Sequence, residues 1–212
     1  MVLLFLKSQE ATELTVAFTL LLTIVLALVI TARYMKKRTS SLLYWGLGIW
    51  VFAIGVLLEL AFAVGIYSGL LIKLYLILVA ILVELLALGS IQLIKSVKLK
   101  RFYYVFVVIS TLLLIYFTAV TDMGNLIQYY VVWNPPPLSV ILLSSLITFP
   151  AAIVIAGIAL KGFLQRRSYK LLSIIIGVIE VSIAGTLYIV AYPAFLYIAE
   201  VLGILLLWYG FI

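Results

Sequence analysis

The sequence predicts an all-α integral membrane protein, a single bundle of seven transmembrane helices without a soluble domain. Three observations support this fold class. The chain of 212 residues is 67% hydrophobic and only 10% charged, whereas soluble domains average roughly 45–50% apolar and about 25% charged residues. Apolar runs long enough to cross a bilayer recur seven times. Lys and Arg are concentrated in alternate connections between these runs.

Each predicted span is an apolar run bounded by charged residues, proline or polar groups, because a helix needs ~20 residues to cross the hydrocarbon core. The first six residues are apolar but too few to span, and no small-residue cleavage site follows them. The first span is therefore expected to serve also as the insertion signal. The predicted spans are Leu14–Ala32, Leu42–Val64, Leu70–Ile94, Phe102–Val120, Leu138–Gly162, Leu171–Val190 and Ala194–Ile212.

The positions of the cations predict the orientation. Short loops rich in Lys and Arg stay on the cytoplasmic side, so we expect the N-terminus outside, the C-terminus in the cytoplasm, and the cell membrane as the location. The net charge of +7 is then a topology signal. It predicts contact with the lipid bilayer and its anionic headgroups and no nucleic-acid partner. Twelve of the fourteen cations follow the first, third and fifth spans, namely Arg33, Lys36, Lys37, Arg38, Lys95, Lys98, Lys100, Arg101, Lys161, Arg166, Arg167 and Lys170.

The one long connection covers residues 121–137 on the predicted outer side. Its centre is rich in β-branched and aromatic residues, and Pro135–Pro137 favours a stiff, extended approach to the fifth span. We predict an interfacial segment or a short hairpin here, with a ligand-capping lid as the alternative.

Small residues and a weak internal likeness indicate how the helices are arranged. A Leu-Tyr dipeptide opens both the third and the seventh span, and both spans end near a glycine, Gly89 and Gly210. This pattern suggests a parallel repeat of three plus one plus three helices. Glycine, alanine and serine at intervals of four allow helices to approach closely, either within the bundle or between copies in a homo-oligomer.

Four glutamates inside apolar helices are the candidate functional residues. An acidic side chain deep in a bilayer costs a few kcal/mol on insertion scales, so it should face the bundle interior, take up a proton or find a partner. Counted from the cytoplasmic helix ends at 1.5 Å per residue, Glu84, Glu180 and Glu200 lie at about 16, 13 and 18 Å, in one layer. Glu59 lies at about 25 Å and is predicted to form a salt bridge with Lys73 across the hairpin.

Two hypotheses follow from these glutamates. In the first, Glu84, Glu180 and Glu200 share protons or a cation in a central cavity, and the protein is a proton- or cation-coupled carrier or channel. Pro150, which removes a backbone hydrogen bond in the fifth span, is its hinge. In the second, each glutamate is protonated or bonded to serine and tyrosine hydroxyls, and the protein is an accessory, sensory or scaffold subunit of a membrane complex.

The residue types present also limit the chemistry. The sequence has no His and no Cys, so the usual ligands of haem, zinc, copper and iron–sulfur clusters are missing. The seventh span has no lysine for a retinal Schiff base, no span contains Asp, and phosphate-binding glycine motifs are absent. We therefore expect no enzyme activity, no metal and no cofactor. The transported ion or solute is not identified by the sequence.

Overall fold

A computed structural model describes residues 9–124, 126–128, 131–132, 134–177 and 193–211. The fold is a helical membrane bundle, and α1 to α5 are each long and apolar enough to cross a bilayer. The protein is therefore a multi-pass membrane protein. The described helices are α1 Gln9–Lys37, α2 Ser40–Ala63, α3 Gly69–Ile91, α4 Val97–Val120, α5 Leu138–Arg166, α6 over residues 169–177, and α7 Pro193–Phe211.

The helix ends agree with the predicted spans to within a few residues, and most helices continue past the apolar run into the charged connections. Local caps set several of these ends. Ser68 and Ser96 each accept a hydrogen bond from a backbone amide in the first turn, of α3 and α4 respectively. Arg167 ends α5 in the left-handed conformation, with φ of 50°. The predicted sixth span, Leu171–Val190, is described only as far as residue 177.

Helix α3 is central, because it packs against α2, α4 and α5. Its glycine at position 89 lies directly under the indole of Trp45 on α2. A Cβ atom there would come within 2.2 Å of that ring. Gly210 on α7 similarly receives the side chain of Ile174 on α6. Gly89 and Gly210 thus mark close helix contacts within one chain.

Two contacts fix how α1 lies along α2. At one end, the Gln9 side-chain amide donates to the Ala63 carbonyl at 3.2 Å, and one core cluster is built on Val16 and Val56. The two helices are therefore antiparallel, and Glu13 on α1 lies level with position 59 on α2.

At the other end of α1, the Arg33 guanidinium donates to the carbonyl of Phe211, which places the end of α7 beside it.

The connection after α4 forms a short hairpin, one of the two predicted forms. Strands β1 Ile127–Gln128 and β2 Val131–Val132 pair antiparallel. Met123 and Leu126 are buried in the core cluster that contains Phe62 of α2 and Tyr75 of α3. The hairpin segment therefore covers that end of the bundle, while its use as a ligand-capping lid stays a prediction.

Pro150 lies inside α5, which runs as one helix from Leu138 to Arg166. The residues around it, Ile147 and Ala151, are fully buried. The proline is thus held within a packed helix, and its role as a hinge stays a prediction.

Candidate functional site

The structure brings two of the intramembrane glutamates together. Glu59 lies one turn before the end of α2, and Glu200 lies two turns into α7. Their side chains are only 5% and 8% exposed, and the two carboxyl groups lie close enough to interact electrostatically. Helices far apart in the chain therefore meet at a buried pair of acidic groups, which we call the carboxyl pair.

Tyr75 of α3 is the third member of this site. Its hydroxyl donates to Glu59 Oε1 at 2.5 Å. Its ring packs edge-on against Phe62, with ring centroids 5.8 Å apart and an interplanar angle of 77°. The aromatic contact fixes the direction of the hydroxyl, so α3 supplies an oriented hydrogen-bond donor to the pair.

Two oxygens of the carboxyl pair lack a donor in the part of the chain that the structure describes. Glu59 Oε2 and Glu200 Oε2 are both buried and receive no hydrogen bond there. An ionised carboxylate can only accept hydrogen bonds, whereas a protonated carboxyl can also donate one. A single proton on the pair would therefore supply a donor and would relieve the repulsion between two buried anions.

Glu84 has a different environment. It is 2% exposed and accepts hydrogen bonds from two hydroxyls of α4, Ser110 Oγ at 2.9 Å and Thr111 Oγ1 at 2.5 Å. This arrangement joins α3 to α4, and the bond from Ser110 is the kind of hydroxyl contact that the second hypothesis expects.

The predicted common layer does not bring Glu84 and Glu200 together. Glu84 follows Tyr75 by nine residues on α3, which is two and a half turns and about 14 Å along the axis. Nine residues correspond to a net half-turn of rotation, so Glu84 and Tyr75 leave α3 on opposite sides. Glu84 points towards α4, and Tyr75 points towards Glu59. Glu180, the third member of the predicted layer, lies outside the described residues.

Glu59 and Lys73 have separate partners instead of the predicted salt bridge. The Lys73 ammonium donates to the Ala119 carbonyl at the end of α4, at 2.8 Å. Positions 73 and 75 of a helix point about 200° apart. Since Tyr75 faces Glu59, Lys73 is turned away from it.

Further polar contacts lie towards the opposite end of the α2–α3 hairpin. The Trp45 indole donates to the Leu86 carbonyl at 3.1 Å and lies 3.3 Å from Ser90 Oγ, and Ser41 donates to the Gly89 carbonyl at 2.7 Å. These bonds tie side chains of α2 to the backbone of α3. They hold the two helices together.

Sequence reasoning identified the glutamates but missed Tyr75 and Thr111 as their partners. A signal was available for Tyr75, because a tyrosine inside an apolar helix needs a partner for its hydroxyl. Among the described residues, no group of three or more His, Cys, Asp or Glu side chains could hold a metal ion. Comparison with known proteins finds no match to this chain among protein families, curated proteins or solved structures.

Proposed function

We propose that the protein is a small carrier or channel of the cell membrane that binds a proton or a cation at the carboxyl pair. The observation that supports this proposal most directly is the contact between Glu59 and Glu200 in the interior. Helix association alone does not require two acidic groups to face each other. Their contact is unfavourable unless a positive charge is bound.

A carboxyl pair with both groups ionised has a high electrostatic cost in the interior. Two unit charges about 4 Å apart repel by about 4 kcal/mol at an effective dielectric constant of 20. Burial adds the cost of removing each charge from water. Binding one proton or one cation offsets both costs, so occupancy of the pair is coupled to the approach of Glu200 on α7 to Glu59 on α2. Intramembrane acidic residues with this coupling are typical of ion pathways and proton relays.

The proposal also includes the orientation of the chain in the membrane. We keep the expected seven-span arrangement with the N-terminus outside, because it places the basic connections in the cytoplasm. The turn between α2 and α3, and with it the carboxyl pair, then lies on the outer half of the bundle. The proposal includes no enzymatic activity, and Glu180 remains a candidate member of the ion pathway.

A second candidate function is an accessory or sensory subunit. It is favoured by the environment of Glu84, whose two hydroxyl donors make it a structural link between α3 and α4. In this case the carboxyl pair would change its protonation without moving an ion across the membrane. A homo-oligomer or another membrane subunit would be its partner.

Proton flux into proteoliposomes separates the two functions. A potassium diffusion potential drives the flux, which a trapped pH-sensitive dye reports, and a sodium gradient is tested in parallel. We expect flux in the wild-type protein and its loss in Glu59→Gln and Glu200→Gln. Glu84→Gln is the matched control and should retain flux. Absence of flux in the wild type would favour the accessory subunit, whereas equal flux in all variants would show that the ion does not pass through the carboxyl pair.

A further inference from the structure

We infer that the ion held by the carboxyl pair is a single shared proton and that, in the conformation of this structure, it exchanges with water at the end of the bundle formed by the α2–α3 turn. This inference rests on the proposed function and deepens it by naming the ion and the side from which it is bound. Two observations support it. The pair and Tyr75 lie near the same end of three helices, and two buried oxygens of the pair lack a donor in the described part of the chain.

All three members of the site lie near the same end of the bundle. Glu59 is four residues from the end of α2, or about 6 Å along the helix axis. Tyr75 is six residues from the start of α3, or about 9 Å, and Glu200 is seven residues from the start of α7, or about 10 Å. From the opposite end of α2, Glu59 is nineteen residues away, or about 28 Å. Measured along α2, the distance to the helix end is therefore several times shorter on the side of the α2–α3 turn, and along α7 it is also the shorter of the two.

Helix α1 supplies polar groups along this short path. Gln9 contacts the end of α2 through the Ala63 carbonyl, and its amide also donates to Glu13 at 2.8 Å. Thr12 is buried in the same turn. Glu13 lies level with Glu59 in the register set by the α1–α2 contacts. Polar side chains thus extend from the end of the bundle to the depth of the pair.

The charged side chains at this end of the bundle have other partners, so none of the described ones neutralises the carboxyl pair in place of a proton. Tyr75 faces the pair from α3 and donates to it. The Lys73 ammonium is bonded to the Ala119 carbonyl, and Asp122 accepts a hydrogen bond from the amide of Gly124. The described part of the chain therefore gives the pair one hydroxyl donor and no ammonium or guanidinium partner.

Carbodiimide labelling tests both parts of the inference. A hydrophobic carbodiimide reacts with protonated carboxyls in apolar surroundings, and mass spectrometry locates the adduct. Right-side-out and inverted vesicles are labelled while the pH of one side is raised from about 5 to about 8, the range over which carboxyls and perturbed carboxyls titrate. We expect labelling of Glu59 or Glu200 to fall several-fold when the pH rises on the side of the α2–α3 turn, and to stay constant when it rises on the other side.

Two further measurements complete the test. Replacing choline chloride by sodium chloride at constant pH should leave the labelling unchanged, and a several-fold protection by sodium would overturn the assignment of a proton. The Glu84→Gln variant is the matched control and should label at the pair as the wild type does.

The outcomes separate the inference from the proposed function. Labelling that follows the pH of the opposite side, or of neither side, overturns the access route. Absence of any adduct on Glu59 and Glu200 overturns the shared proton. Correct labelling in a protein that moves no protons in proteoliposomes would refute the carrier but uphold this inference, since the pair would then sense the pH on one side.

Discussion

Tyr75 supplies a hydroxyl donor to a carboxyl that is buried among apolar side chains. The substitution Tyr75→Phe keeps the ring contact with Phe62 and removes only the hydroxyl. Loss of a donor to a buried acceptor costs about 1–3 kcal/mol, so we expect the free energy of unfolding in detergent micelles to fall by this amount. Tyr116→Phe is the control, because Tyr116 is 61% exposed on α4. A Tyr75→Phe protein as stable as the wild type would contradict the importance of this bond.

Sequence could predict which residues matter at this scale but not which of them meet. Acidic groups stand out in apolar helices, so Glu59, Glu84 and Glu200 were identifiable. Counting residues from the cytoplasmic end of each helix assumes that every helix begins in one plane, and this assumption places Glu59 and Glu200 in different layers. The rotation of α3, which turns Tyr75 and Glu84 to opposite sides, depends on packing that no single helix sequence contains.

At the scale of the elements, the α2–α3 hairpin depends on close contact between one glycine and one indole. Gly89→Ala would place a Cβ atom 2.2 Å from Trp45 Cδ1, whereas nothing lies within 4 Å of a Cβ built at Gly55. We expect Gly89→Ala to destabilise the protein by about 1–3 kcal/mol through overpacking. Gly55→Ala, in the same hairpin, should be neutral or stabilising by up to about 1 kcal/mol. Unfolding in micelles measures both, and equal effects would argue against the packing described.

Removing the donors of the hydrogen bonds between α3 and α4 should cost more stability than removing their acceptor, Glu84. Replacing both donors, in Ser110→Ala with Thr111→Val, leaves the Glu84 carboxyl buried without them. Replacing the acceptor, in Glu84→Leu, leaves hydroxyls that can turn to their own helix, since Ser110 Oγ lies 2.7 Å from the Phe106 carbonyl oxygen. We therefore expect the double variant to lose about 2 kcal/mol more stability than Glu84→Leu. Equal losses would show that the carboxyl finds other donors.

The predicted elements agree with the structure because each depends on a local property. Length and apolarity determine a spanning helix, and Ser68 and Ser96 stand where caps are expected. The hairpin at residues 127–132 was foreseeable from its β-branched residues. Its packing against Phe62 and Tyr75 was not, since this contact joins segments that are distant in the sequence. The parallel internal repeat stays a prediction.

At the scale of the whole molecule, the placement of charge gives the bundle two unlike ends. Twelve cations lie in the connections after α1, α3 and α5 or in the helix turns next to them, where they can contact anionic headgroups. The carboxyl pair lies near the other end, behind the short hairpin. If the basic end is cytoplasmic, the pair is exposed to conditions outside the cell. The direction of any proton movement therefore depends on the orientation of the chain.

Cysteine accessibility tests this orientation without background, because the wild-type chain contains no cysteine. Thr39 makes no side-chain cap bond, and Ile66 and Tyr169 are exposed, so a single cysteine at each position should be tolerated. In intact cells a membrane-impermeant maleimide should label Ile66→Cys, and should label Thr39→Cys and Tyr169→Cys only after permeabilisation. The reverse pattern would place the basic connections outside and turn the carboxyl pair towards the cytoplasm. Labelling of Ile66→Cys and Thr39→Cys from the same side would mean that α2 does not cross the membrane, and the short path from the pair to outer water would no longer follow.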